Sequence, residues 1–279
     1  MAITAADVKQ LREKTGAGMM DCKKALTEAD GDFAKAEKIL KEMGLAAAAK
    51  RDGRATNEGR IFSHVGNTAA GLLEVASETD FVARNETFIA MGNDLVKTMT
   101  ESNLTVDSAE VKETTVQAVS TIKENITARR FVRMEASSND IIADYIHGDG
   151  NIGVLIKLTA DSPTAKDNEA VNELCFNLAL HAAAYRPLYL SEDQVEGSYI
   201  EEQKSIFLKQ AENLGKPEKV MQGIVAGKMK KHLAEICFVN QGFVKEDKKA
   251  VSEIIAETGN KAGVKLTLSD YIVYTVGQE

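Results

Sequence analysis

Residues able to make or break bonds are thinly scattered along this chain. The four histidines, His64, His147, His181 and His232, are never closer than 34 residues in sequence, so no local pair has metal-ligand spacing. The three cysteines, Cys22, Cys175 and Cys237, are odd in number and lack any C-x-x-C spacing, which fits free thiols in a reducing compartment. There is no G-x-x-x-x-G-K-[ST] phosphate loop, no G-x-G-x-x-G after a strand, no G-x-S-x-G elbow and no H-E-x-x-H pair. Gly16 and Gly18 fall where helices stop and start. No catalytic, metal or cofactor-binding residue is assigned, and the chain is expected not to be an enzyme.

What stands out instead is contact chemistry. The run Ser77 to Asn85, S-E-T-D-F-V-A-R-N, sets Phe81 among charged and polar residues. Before it, Gly71 to Ala76 has the composition of a strand; after it, Phe88, Met91, Leu95 and Met99 recur at helical spacing. The run is therefore a strand-to-helix connection, where Phe81 is either displayed or folded back onto its own core. Met19-Met20 opens a helix, and two adjacent side chains cannot both face one core, which leaves one for an adaptable apolar contact or for space-filling. Cys22, beside Asp21, Lys23 and Lys24, has the neighbours to be activated but without a histidine partner fits a small core residue better. His147 and Asp149 fall in a tight turn, solvated or locally hydrogen-bonded. Arg84, Arg129, Arg130 and Arg133 lack the interleaved aromatics of an RNA-stacking sheet.

Those residues need elements to hold them. Thr4 three positions before Asp7 resembles a capping box, opening a helix over 4–14; a second covers 19–29, and a third runs from Phe33 to Gly44, with an Ala-rich turn or two leading into a polar linker to Gly59. Two hairpin-like segments follow, one around His64-Val65-Gly66-Asn67 and one around His147-Gly148-Asp149-Gly150-Asn151. Each leads through a polar loop, Ala83-Arg84-Asn85-Glu86 or Ala165-Lys166-Asp167-Asn168-Glu169, into a helix. Two related α+β subdomains follow from this repetition, because a hairpin with one apolar face needs a covering helix. A further helix over 111–126 leads into a strand at 130–134. Val195 to Leu214 and Val220 to Leu233 form a helical pair joined at Leu214-Gly215-Lys216-Pro217, either a protruding arm or packed flat on a sheet. The chain closes with a helix around 251–255 and strand residues from Val264 to Val276, broken at Asp270.

Bulk properties agree with a folded protein of about two domains: 279 residues, 44% of them hydrophobic. Formal net charge is -8, which argues against a dedicated nucleic-acid binder. Residues 1–54 nonetheless carry net charge +2 and could meet an acidic partner. No N-terminal apolar run or membrane-length segment is present, and a cytoplasmic location without membrane contact is expected.

Two blocks resemble a known family. Leu11-Arg12-Glu13-Lys14-Thr15-Gly16-Ala17-Gly18-Met19-Met20-Asp21-Cys22-Lys23-Lys24-Ala25-Leu26 is similar to the first signature of the elongation factor Ts family, and Glu78-Thr79-Asp80-Phe81-Val82-Ala83-Arg84-Asn85 to the second. The resemblance implies an α+β fold: a small three-helix ubiquitin-associated-like bundle (1–54), a duplicated α+β core (55–140, then 141–187 with 236–262), a helical-hairpin or coiled-coil insertion (188–235) and a C-terminal module (263–279). It also implies a guanine nucleotide exchange factor for elongation factor Tu, without direct nucleic-acid contact. Arg12, Met19 and Met20 would contact the GTPase domain. Thr79, Asp80, Phe81 and Val82 would form a wedge beside its nucleotide site that disturbs magnesium, and His147 would mark the tip of the second subdomain, facing away from the nucleotide. The arm would contact the partner or support a homodimer or 2:2 complex. The competing class is a scaffold protein that binds a translation GTPase without promoting exchange.

Overall fold

The computed structural model describes residues 3–212 and 217–278; the expected junction Leu214-Gly215-Lys216 lies outside them. In chain order the elements are α1 (Ala5–Thr15), α2 (Met19–Glu28), α3 (Phe33–Arg51), β1 (Glu58–Val65), β2 (Ala69–Ser77), α4 (Asp80–Ala83), α5 (Glu86–Ser102), α6 (Ala109–Ile122) and β3 (Thr127–Glu135). Then come β4 (Asp140–His147), β5 (Ile152–Ala160), α7 (Glu169–Tyr185), α8 (Gly197–Glu212), α9 (Glu218–Ile236), β6 (Gly242–Phe243), β7 (Glu246–Ala250), α10 (Val251–Ala262) and β8 (Leu266–Thr275). The fold is α+β, with sheets ordered β1-β2-β3, β4-β5-β8 and β6-β7. Compactness divides the chain into one unit of Met1–Met134, Ile146–Gly153 and Tyr274–Glu279 and another of Glu135–Tyr145 and Val154–Val273.

In the first unit, the capping box at Thr4 forms as expected: Asp7 N donates to Thr4 Oγ1 at 3.2 Å and Thr4 N to Asp7 Oδ2 at 2.8 Å. Val8 and Leu11 of α1, Cys22, Ala25 and Leu26 of α2, and Ala36 and Leu40 of α3 bury one another. Gly44 does not stop the third helix; α3 runs unbroken to Arg51. Its missing side chain is used for packing, since a Cβ there would lie 3.3 Å from Ser120 Cβ and 3.8 Å from Val116 on α6. The expected extra turns are continuous with α3, the linker begins beyond Arg51, and α2 and α3 are fastened to α6 and the residue that caps it. Lys123 pairs with Asp21 at 2.8 Å, Lys41 with Glu113 at 2.5 Å, and Arg51 Nε donates to the Lys123 carbonyl at 3.0 Å.

β2 is the middle strand of its sheet, and all nine of its residues are buried. It pairs antiparallel with β1, with Phe62 opposite Leu73 and Ile61 opposite Glu74. Phe62, Leu73 and Val75 pack under Phe88, Leu95, Val96 and Met99 of α5; α5 thus supplies the cover a hairpin needs in order to be stable. The buried Glu74 carboxylate would be costly alone. It receives Arg129 Nη1 at 2.9 Å, Arg130 Nε at 2.7 Å and the Gly277 amide at 3.0 Å, while the Arg130 guanidinium lies 4.0 Å from the Tyr274 ring centre.

In the second unit, Val171, Leu174, Leu178 and Ala182 of α7 are all buried, as their spacing requires. α8 and α9 pair with each other around Val195, Met229, Leu233 and Cys237, with Tyr199 Oη and His232 Nε2 2.9 Å apart. β8 passes through Asp270 without the expected break; Asp270 Oδ1 accepts the Tyr271 amide at 2.9 Å, its Oδ2 lies 4.0 Å from Lys157 Nζ of neighbouring β5, and pairing of β8 with β5 keeps the backbone extended.

The connections into α5 and α7 are built on a similar plan. Thr79 Oγ1 accepts the Val82 amide, three residues on, at 3.4 Å, and Ser162 Oγ the Thr164 amide, two residues on, at 3.4 Å, opening an α-helical turn in one case and a 3₁₀ turn in the other. Six residues later, Asn85 caps α5 through the amides of Thr87 and Phe88, and Asn168 caps α7 through those of Ala170 and Val171. Aligned on these caps, Val82 corresponds to Ala165, both buried, and Phe81 corresponds to Thr164.

Candidate functional site

The turn between β2 and α5 is short and heavily braced. Ser77 Oγ donates to the Thr79 carbonyl at 3.0 Å, and Glu124, 45 residues away, accepts both Thr79 N at 3.0 Å and Thr79 Oγ1 at 2.7 Å. Glu78 accepts the Asn125 amide at 2.7 Å and faces Arg54 at 3.3 Å. That amide, opposed by partial burial and reinforced by Arg54, holds the Glu78 carboxyl below its ordinary value. Val82 points inward and joins the cluster of Phe88 and Leu95. With the backbone pinned on one side and Val82 seated on the other, Phe81 has nowhere to go but out: it is 82% exposed. A displayed side chain replaces the alternative of local packing.

Asp80 opens α4 beside it, half exposed, and Arg84 closes the turn. Arg84 also reaches Asp149 in the hairpin between β4 and β5, Nε to Oδ2 at 3.3 Å. That hairpin is attached to β1 by Arg60 Nη1 donating to the Asp149 carbonyl at 2.9 Å and by the Ile61 amide donating to the Gly150 carbonyl at 2.8 Å. Gly150 has φ +90°, and a Cβ on it would strike Arg60 Cγ at 2.2 Å, so only glycine permits so close an approach. His147, exposed at the end of β4, is thereby brought into the same unit as Phe81.

The other expected contact residues are also on the surface. Arg12 is exposed on α1, and Met19 and Met20 are 49% and 75% exposed at the start of α2. Both methionines are thus outside, and space-filling in the core gives way to exposure for the pair. Cys22, one turn on, is the core residue. Of the four arginines weighed for RNA, Arg129 and Arg130 serve Glu74, Arg133 Nε donates to the Thr100 carbonyl at 2.7 Å, and Arg84 bridges carboxylates.

Groups capable of chemistry elsewhere are committed to structure. His181 is buried between Tyr185 and Phe238, with ring centres 4.6 and 5.2 Å away. Its Nδ1 accepts the Val244 amide at 3.1 Å, so Nε2 carries the proton and donates to Gln241 Oε1 at 2.9 Å; burial lowers its pKa and keeps the ring neutral. Burial pushes the Cys175 thiol up to about 12. Among the described residues no group of three or more His, Cys, Asp or Glu side chains could hold a metal ion, and no helix is long and apolar enough to cross a membrane.

Glu124, Asn125 and Asp149 were not legible as parts of this site, because partners 45 or more residues apart leave no local pattern. The one available sign was the density of hydrogen-bonding side chains in Ser77 to Asn85 itself.

The geometry is thus an α+β scaffold presenting a braced, outward aromatic. Residues 78–278 match the sequence profile of the family Elongation factor TS. Elongation factor Ts of Treponema denticola is 44% identical over 277 residues, 99% of both chains. That of Borrelia recurrentis is 45% identical over 278 residues, 99% of this chain and all of the other, and that of Borreliella burgdorferi strain ZS7 is 46% identical over 278 residues, 99% of both. The chain belongs to the elongation factor Ts family, and its place is in translation, among the factors of protein biosynthesis.

Proposed function

We propose that this protein is a guanine nucleotide exchange factor that binds elongation factor Tu carrying GDP and promotes GDP release by disturbing its magnesium and phosphate site. The observation that carries this is Phe81, 82% exposed on a turn whose backbone is held by Glu124 and Asn125. A rigid aromatic buries much apolar area at little entropic cost, so it can hold partner elements apart. GDP is kept in such GTPases by phosphate contacts and a magnesium ion. A factor that binds best when that geometry is broken must weaken GDP by the same ratio by which GDP weakens the factor. No covalent bond is made or broken, and the protein is not an enzyme in that sense.

In this account Thr79 and Val82 hold the wedge while Asp80 and Phe81 meet the partner. Arg12, Met19 and Met20 form a second contact from the bundle, and His147 a third. The organisation is a ubiquitin-associated-like bundle with its linker (1–54), a duplicated core (55–140, and 141–187 with 236–262), a coiled-coil arm (188–235) and a C-terminal module (263–279). The two cap pairs at identical spacing support the duplication, and Thr164 in place of Phe81 confines the wedge to the first copy. The protein acts in the cytoplasm, with the arm contacting the partner or a second copy.

Stopped-flow release of fluorescent GDP from elongation factor Tu, with and without this protein and paired with light scattering, tests the proposal. Acceleration is expected. A complex that forms while the release rate stays unchanged would instead make this a non-exchanging scaffold.

A further inference from the structure

We propose that Arg84 is a positioning residue that ties the Asp80-Phe81 turn to the His147–Gly150 hairpin, so that two separate contact elements meet a partner as one preset surface. The inference rests on the exchange-factor reading above and adds a residue and a device to it.

The two elements are each held firmly, but by different anchors. α4 is fixed by Glu124 on Thr79 and by the buried Val82. The hairpin is fixed by Arg60 and the Ile61 amide. Between them stands Arg84, with Nε 3.3 Å from Asp149 Oδ2 and Nη2 3.9 Å from Asp80 Oδ2. A planar guanidinium can face two carboxylates at once from different edges, which the point charge of a lysine does less well.

The side chains of Arg84, Asp80 and Asp149 are 63%, 50% and 66% exposed, so removing them should leave folding stability nearly unchanged. What favours a positioning role over an incidental surface pair is that the network belongs to one copy of the repeated plan alone. Counting from the caps, Arg84 follows Thr79 by five residues, and the residue five after Ser162 is Asp167. The copy without the aromatic thus carries the opposite charge at the bridging position. Arg84 and Phe81 occur together, as they must if the bridge serves the wedge. The benefit is preorganisation: an exposed turn already aligned with its neighbour loses less freedom on binding.

The test uses the full chain and the variants Arg84→Ala, Asp149→Asn and their combination, each checked for an unchanged thermal midpoint. GDP release from elongation factor Tu is followed against factor concentration, and 4-fluorophenylalanine placed at position 81 reports the turn by ¹⁹F NMR without any partner. Each single substitution is expected to raise the factor concentration needed for half-maximal release by about threefold or more, within the coupling seen in single ion-pair networks, leaving the maximal rate nearly unchanged. The double variant should be no worse than the singles, and the fluorine line should move in the same direction in all three. If Arg84→Ala impairs release while Asp149→Asn does not, Arg84 touches the partner directly and the proposal is overturned; additive effects or unchanged concentrations overturn it as well. If the unsubstituted protein fails to release GDP, the exchange reading fails, and the fluorine spectrum alone then decides: a shared shift supports the bridge, and identical lines in all forms overturn it.

Discussion

Replacing Phe81 by Ala separates a role in contact from a role in folding, because the two predict opposite patterns. Fully burying a Phe side chain is worth about 1.5–3 kcal/mol. With 82% of the residue still exposed, only about 0.3–0.5 kcal/mol of that is realised in the free protein, a change that barely moves a thermal midpoint. The remainder, about 1.2–2.5 kcal/mol, is available on binding. If it is spent in the state from which GDP leaves, its loss slows release by about 8- to 60-fold at limiting factor, since each 1.4 kcal/mol is a factor of ten. Val82→Ala should show the reverse: two buried carbons at ~0.8 kcal/mol each cost about 1.6 kcal/mol of stability. Fluorescent-GDP release and urea denaturation on the same preparations check both. A Phe81→Ala protein with an unchanged release rate, or with stability reduced by more than about 1.5 kcal/mol, would refute the reasoning.

Gly44→Leu should force α3 away from Ser120 and Val116, costing about 1–3 kcal/mol and exposing residues 45–57 to limited proteolysis; a cleavage pattern like that of the parent protein would contradict the packing argument. Glu74→Gln leaves Arg129 and Arg130 without their counter-charge and should destabilise by about 3 kcal/mol, the low end for a broken buried pair because both arginines are part-exposed; an unchanged urea midpoint would show that the network is dispensable. For Glu78 the folded carboxyl titrates below the unfolded one, so the stability it contributes is fully present above the unfolded pKa and is lost as pH falls through the lower, folded value. Glu78→Gln should therefore narrow the stability difference between neutral pH and the acid range below the ordinary carboxylate pKa, as read by urea titration at each pH; parallel curves for the two proteins would count against it.

Patterns set by neighbours in sequence were legible without a structure. The Thr4 cap, the helix of Phe88, Leu95 and Met99, the buried face of α7, the two hairpins and the odd place of Phe81 all follow from periodicity, capping chemistry and turn residues, which act within a few positions along the chain. The two signature strings carried the family. What local patterns could not decide was everything settled by side chains that meet across the fold. Gly44 has the character of a helix stop until α6 packs against it, and Asp270 that of a strand break until β8 pairs along β5. Whether Phe81 points in or out depended on Glu124, Asn125 and Val82 taking the inward positions, and the placing of the His147 hairpin depended on Arg60 and the Ile61 amide holding it to β1. Short-range propensity is written residue by residue, whereas burial and charge pairing belong to partners far apart in sequence. The residue types of this surface came from the sequence; their display and mutual placement came from tertiary contacts alone.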